Sequence, residues 1–222
     1  MSLSRRVVIS LLSSFVVVGC ASSPATDPNY KPSRGQSGKD VMWIPTPPEL
    51  VDKMLTMAKV TPQDRVYDLG AGDGIIAIAA AQKFKANAVG IEFNANMAEF
   101  ARRKVAEAGV QDKVRIITGD IFKEDFSSAN VVTMYLLPEL NLQLRPKILQ
   151  MKPGTRVVAH AFDMGEWLAD DTATAGGSYA FLWIVPAPVQ GSWRLSLDGG
   201  PTAQLNLEQT FQNVGGTLTI GG

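Results

Sequence analysis

The segment that most constrains the fold is residues 66–74, which read VYDLGAGDG. The short apolar stretch at 65–69 predicts a buried β-strand, and the Ala- and Ile-rich stretch at 75–84 predicts a buried helix. Gly70 and Gly72 allow a sharp turn between them and leave the backbone open to a ligand, because glycine has no Cβ. The free N–H groups of the helix start point toward the same place. Together these features predict an α/β ligand-binding unit.

The same turn departs from the dinucleotide-binding pattern G-x-G-x-x-G. That pattern requires a third glycine where this chain has Ile75. The departure favours a ligand that lacks a pyrophosphate.

From Val41 onward, strands alternate with amphipathic helices, which indicates a parallel sheet covered on both faces. Helices are predicted at 48–59, 75–84, 95–108 and 139–151, and strands at 65–69, 88–92, 114–118, 130–135 and 155–160. The expected fold class is α/β: a Rossmann-like, doubly wound, mostly parallel sheet with helices on both faces. The core domain is expected at 41–175.

Residues 176–222 are predicted to form a β-rich extension, because strand-like stretches there are separated by Gly- and Pro-rich turns. These stretches are 180–185, 192–197, 203–211 and 217–220. The first two are expected to pair as an antiparallel hairpin that ends the main sheet. The last two exceed the needs of that sheet and predict a short antiparallel appendage with an unpaired edge.

The first twenty residues are typical of an export signal. Arg5 and Arg6 precede an apolar run at 7–18 that is too short for a settled membrane span, and the run ends in VVGC. That ending resembles a bacterial lipobox, which implies that Cys20 is acylated and anchors the chain to a membrane, the outer one by the sorting pattern that Ala21 resembles. The alternative is an uncleaved anchor with an incidental cysteine. Residues 21–40 are predicted to be a flexible tether.

Charge and composition exclude several functional classes. Lys+Arg and Asp+Glu both number 21, so no overall charge attracts the chain to nucleic acid. One cysteine and one histidine, His160, argue against a zinc or iron site, and no metal is expected.

Acidic residues follow successive predicted strands. Glu92 ends the second strand, 24 residues after Asp68, near the spacing of an acid that accepts hydrogen bonds from ribose hydroxyls. Asp120 follows the third strand. Carboxylates at the ligand-binding edge of such a sheet, beside a glycine turn, predict an adenosine-containing ligand.

The residues DLGAGDG at 68–74 resemble motif I of the class I S-adenosylmethionine-dependent methyltransferases. The resemblance implies S-adenosyl-L-methionine as cofactor, held by Asp68, Gly70, Gly72 and Glu92. It further implies that Asp120 contacts the adenine amino group while Ile121 packs on the adenine ring.

A narrower resemblance covers residues 43–167. IPTPP at 44–48, VGIE at 89–92 and TMYLLP at 133–138 are similar to a small group of bacterial and mitochondrial methyltransferases. The characterised eukaryotic members of this group methylate protein lysines, which implies a protein-lysine acceptor. Thr46 is interpreted as part of a lid over the cofactor or as a plain linker turn.

Two residues are candidates for the chemistry. Tyr135, at the end of the fourth strand, either lines the acceptor channel or is a core tyrosine. His160, at the end of the fifth strand, either relays a proton or is a structural hydrogen-bonding residue.

Two functional hypotheses follow. The first is a methyltransferase, most consistent with a protein-lysine acceptor; a nucleic-acid acceptor is a weaker expectation. The second is an exported lipoprotein that keeps the fold as a non-catalytic binding or scaffold module, because S-adenosylmethionine is made in the cytosol. Translation from Met42 would instead give a cytoplasmic enzyme.

Overall fold

A computed structural model describes residues 26–196, 200 and 202–220. The predicted signal peptide and its lipidation residue Cys20 lie outside the described residues. None of the helices described has the length and apolarity needed to cross a membrane.

The core is a seven-stranded sheet in the order β3-β2-β1-β4-β5-β7-β6. Its strands are β1 (Arg65–Leu69), β2 (Asn87–Glu92), β3 (Val114–Thr118), β4 (Val131–Met134), β5 (Arg156–His160), β6 (Asp171–Ala175) and β7 (Ser178–Ile184). The first five are parallel to one another, and β7 runs antiparallel to both its neighbours. The predicted doubly wound, mostly parallel α/β fold is confirmed.

Four helices cover this sheet, at α1 (Pro48–Met57), α2 (Ile75–Phe84), α3 (Ala95–Glu107) and α4 (Pro138–Leu149). The first three contribute to one apolar core on one face of the sheet, and α4 contributes to a second core on the other face. The predicted burial of α2 is confirmed, because six of its residues are buried. Strand order reverses between β1 and β4, and in such sheets the crevice at this reversal binds ligands.

The end of the main sheet differs from the sequence prediction. Residues 180–185 were expected to pair with 192–197, but β7 pairs with β5 and with β6. The sequence of β6, DTATA, has too few large apolar residues to be recognised as a strand, because it lies at the exposed sheet edge. The sheet therefore spans the boundary expected at residue 175.

The remaining strands form a separate antiparallel sheet, which confirms the β appendage. Its strands are β8 (Gly191–Ser196), β9 (Thr202–Thr210) and β10 (Asn213–Ile220), in the order β10-β9-β8. The turn between β9 and β10 contacts the core, because the Phe211 ring stacks on Trp167 with centroids 6.0 Å apart. Gln212 Nε2 also donates to the carbonyl of Leu168 at 2.8 Å.

The described part of the predicted tether lies against the core, and the prediction is corrected there. Asp27 N donates to Asn96 Oδ1 at 2.8 Å, and an Arg103 guanidinium N–H donates to the Tyr30 carbonyl at 2.8 Å. Residues 26–47, here named the entry segment, run from these contacts to the start of α1. The polar composition that predicted a tether reflects contacts made through backbone and polar groups instead of apolar burial.

Candidate active site

A cavity of about 990 Å³ opens at the carboxyl ends of β1, β2 and β4, in the size range of small-molecule sites. The residues proposed from the sequence that line it are Thr46, Asp68, Gly70, Gly72, Glu92, Asp120, Ile121 and Tyr135. His160 is not part of the lining and lies behind Tyr135. The strand ends thus bring together residues that are far apart in sequence.

The glycine turn forms the floor of the cavity. Gly70 has a φ of 76° and Gly72 a φ of 53°, a region that favours glycine. A Cβ on Gly72 would lie 2.7 Å from Nε1 of Trp43, and one on Gly70 would lie 2.9 Å from a Leu136 methyl group. Glycine is therefore required at both positions for conformation and for space.

Asp68 lies buried at the end of β1 and accepts a hydrogen bond from Thr133 Oγ1 at 2.8 Å. Burial raises the pKa of this carboxyl to about 7, and the nearby charges of Asp73 and Glu92 act in the same direction. No Lys or Arg among the described residues bonds to it. This leaves a buried acid at the cavity that a cationic ligand would stabilise in its charged form.

Glu92 joins the end of β2 to the glycine turn. Its Oε2 accepts from the Gly72 N–H at 2.9 Å, and its Oε1 accepts from the Asn94 N–H at 2.8 Å. Burial raises the pKa of this carboxyl, while these backbone donors oppose the rise. Each carboxylate oxygen keeps further acceptor capacity for ligand hydroxyls.

Asp120, after β3, is held by the chain itself. Its Oδ1 accepts from the Phe122 N–H at 3.0 Å, and its Oδ2 accepts from Lys39 Nζ at 3.2 Å. The Phe122 hydrogen bond lowers the pKa of Asp120, and Lys39 adds to the effect. The same ammonium group lies 4.6 Å from the centroid of the Phe93 ring.

Tyr135 and His160 form one stacked unit, with ring centroids 3.6 Å apart. His160 is buried, and both its ring nitrogens are bonded: Nδ1 to Thr46 Oγ1 at 3.0 Å and Nε2 to Ser178 Oγ at 2.9 Å. Burial lowers the pKa of His160 to about 4, so the ring is neutral at pH 7. This geometry gives His160 a positioning role behind Tyr135.

Comparisons with known proteins agree with this geometry. The family model for the ANTKMT methyltransferase domain matches residues 68–171. A protein-lysine N-methyltransferase of Saccharolobus islandicus is 45% identical over 129 residues, which span 57% of this chain and 80% of that protein. The chain belongs to the class I S-adenosylmethionine-dependent methyltransferases.

Other relatives of the methyltransferase differ in their named acceptors. A mouse lysine N-methyltransferase named for the ATP synthase is 30% identical over 135 residues, and this chain spans only 54% of its length. A crystal structure of an RNA methyltransferase from Salinibacter ruber, in complex with S-adenosyl-L-homocysteine, is 46% identical with a TM-score of 0.64. That match covers 66% of this chain and 96% of the Salinibacter chain.

The cavity of the methyltransferase fits the cofactor implied by the family. S-adenosylmethionine carries a sulfonium, an ammonium group and two ribose hydroxyls, and the cavity offers buried carboxylates at Asp68 and Glu92. The two glycine positions keep side chains off the cavity floor. In the described residues, no group of three or more His, Cys, Asp or Glu is placed to hold a metal ion.

Sequence reasoning missed the entry segment as part of the site. Lys39, Trp43 and their neighbours line one wall of the cavity, and the segment closes on itself where Trp43 N donates to the Gln36 carbonyl at 2.9 Å. It also missed Lys104, expected to face solvent, whose Nζ lies 2.6 Å from Asp73 Oδ2 and ties α3 to the glycine turn. The tryptophan before the IPTPP stretch was the available signal for the wall.

Proposed function

We propose that this methyltransferase transfers a methyl group to the side-chain amine of a protein lysine. The observation that supports the proposal most is the 45% identity to the protein-lysine N-methyltransferase of Saccharolobus islandicus across 80% of that protein. The lysine-specific name of the mouse relative points the same way.

The acceptor end of the cavity suits a neutral amine. Tyr135, Leu136 and Leu140 line it, and the imidazole behind Tyr135 is uncharged because the pKa of His160 is near 4. An apolar wall disfavours the charged form of a lysine and so lowers its pKa, which exposes the nitrogen lone pair for attack. When bound, S-adenosylmethionine supplies an electrophilic methyl group. Tyr135, held by the stack on His160, would line the path of the amine.

The direct test incubates the full chain with methyl-labelled S-adenosylmethionine and a bacterial extract, then locates the label by mass spectrometry. We expect label on lysine side chains of protein. Glu92→Ala should weaken cofactor binding by about 2 kcal/mol, since it removes the acceptor for the ribose hydroxyls. Tyr135→Phe should leave cofactor binding unchanged by calorimetry and lower turnover. Cofactor binding without transfer to any fraction would favour the non-catalytic module.

RNA is a second candidate acceptor, favoured by the relative from Salinibacter ruber named as an RNA methyltransferase. Against it, Lys+Arg and Asp+Glu are equal in number, so the chain as a whole has no charge excess for phosphate binding. The same labelled extract, divided by protease and by nuclease, separates the two. Label removed only by nuclease would replace lysine with RNA.

We also propose that the chain is exported and lipid-anchored through Cys20. The lipobox-like ending and the position of the only cysteine support this proposal. A start at Met42 would remove Lys39 and its bond to Asp120, along with other residues lining the cavity, so the entry segment favours the longer chain. Mass spectrometry of the native N-terminus tests it: acylated Cys20 supports export, and a free N-terminus at Met42 overturns it.

A further inference from the structure

The small sheet formed by β8, β9 and β10 has one apolar face. The strand register places Trp193, Leu205 and Leu218 side by side across the three strands. Leu195 and Ile220 share the next row, and Leu207 lies in the row on the other side. These six residues define what is called here the apolar face.

The opposite face of the same sheet is polar throughout. Arg194, Gln204, Asn206, Glu208, Thr217 and Thr219 alternate with the apolar residues along their strands and therefore point away from them. Ser192 Oγ donates to Asn206 Oδ1 at 2.6 Å on this side. Such strict two-sided patterning across three strands is typical of a sheet with one buried face.

In the single chain, the apolar face is uncovered. Every residue of β8 and of β10 is exposed, and Trp193, Leu218 and Ile220 keep 47%, 54% and 63% of their surface accessible. The sheet contacts the core at its β9–β10 turn, where Phe211 stacks on Trp167. A sheet with one apolar face is stable when that face packs against another layer.

We infer that the apolar face is covered by the apolar face of a second copy of this chain. Two such sheets would stack about 10 Å apart around a two-fold axis, as the two layers of a sandwich do. The six side chains at their present exposure offer apolar surface on the order of 500 Å² per copy, a large part of the roughly 800 Å² per partner in a standard interface. The face carries no charged residue that would select a charged partner or repel its own copy.

The sequence of the sheet argues against lipid as the occupant. Surfaces that bind anionic membranes carry Lys and Arg around their apolar residues. Between Gly191 and Ile220 the chain has one such residue, Arg194, and it belongs to the polar face. The sheet also lies outside the matched methyltransferase segment at 68–171, so this dimer is independent of the proposed acceptor.

Sedimentation velocity of the full chain over a concentration series tests the dimer. We expect the wild-type chain to sediment as a dimer, and Leu218→Asp to weaken self-association by at least about 100-fold, because a charge would be buried in the interface. Thr217→Asp is the matched control: it places the same charge one residue earlier on the polar face and should remain dimeric. All variants share the same N-terminus, so association through that segment affects them equally.

Three results would overturn the inference: a monomeric wild-type chain, a dimeric Leu218→Asp, or a Thr217→Asp that dissociates equally. Cofactor binding by each variant reports whether the core remains folded. If Leu218→Asp fails that check, Ile220→Asp, at the end of β10, replaces it with the same expectation. A monomeric wild-type chain that floats with phosphatidylethanolamine–phosphatidylglycerol vesicles, and loses that binding in Leu218→Asp, would assign the face to lipid.

Discussion

Asp68 makes the stability of the cofactor-free protein depend on pH in a defined direction. Its ordinary pKa of 3.8 rises to about 7 in the folded protein because the carboxyl is buried. A raised pKa means that the folded state binds the proton more tightly. The stabilisation is therefore complete below pH 3.8 and is lost as the pH rises through about 7. At about 1.4 kcal/mol per pH unit between the two values, the loss reaches about 4 kcal/mol by pH 8.

Asp68→Asn should remove this loss. The amide is neutral at every pH, and its oxygen can accept the hydrogen bond that Thr133 donates in the wild type. We expect the variant to match the wild type near pH 4 and to exceed it in free energy of unfolding by up to about 4 kcal/mol near pH 8.

Urea unfolding without cofactor, at a series of pH values, measures the difference between the two proteins. Asp112→Asn, at an exposed carboxylate, controls for the change of net charge and should follow the wild type. Parallel curves for wild type and Asp68→Asn between pH 5 and 8 would refute the reasoning, since they would show that burial does not shift this group.

The remaining predictions concern the cavity floor and the stacked histidine. Gly72→Ala should lower the free energy of unfolding by about 1–3 kcal/mol and weaken cofactor binding, because it combines a φ of 53° with a Cβ 2.7 Å from Trp43. Gly109→Ala, with a φ of 67° but open space around the Cβ, should lose only the part due to φ; equal losses in thermal melts would rule out the contact with Trp43. For His160, burial lowers the pKa from 6.5 to about 4, so its stabilisation is present above pH 6.5 and falls by about 3 kcal/mol as the pH drops to 4. His160→Asn should flatten acid unfolding in that window, and an unchanged profile would contradict a neutral buried ring.

The elements that the sequence predicted well are those whose local pattern and tertiary position agree. The strand Arg65–Leu69 and the helix Ile75–Phe84 have the predicted bounds, because apolar burial sets both and glycine separates them. Strand Asp171–Ala175 was missed, since an exposed edge strand needs few apolar residues. Its absence from the prediction led to the wrong partner for Ser178–Ile184.

At the site, residues on strand ends could be placed from the sequence because parallel strands bring their carboxyl ends to one edge. Partners that reach the site from elsewhere could not. Lys39 bonds to Asp120 across 81 positions, and Thr133 donates to Asp68 across 65. Single polar side chains carry no periodicity, so the partner of a buried carboxylate emerges only from the packed structure.

The contacts around His160 also bear on how the protein is made. Thr46 reaches the ring from one side and Ser178 from the other, and a Cβ on Gly176 would lie 2.8 Å from Pro47. The wall of the cavity is thus completed by residues synthesised long after the strand that carries Asp68. During translation the entry segment has no docking partner until the β6–β7 turn leaves the ribosome. A nascent chain should therefore acquire cofactor binding late, and a chain stopped before Ser178 should lack it.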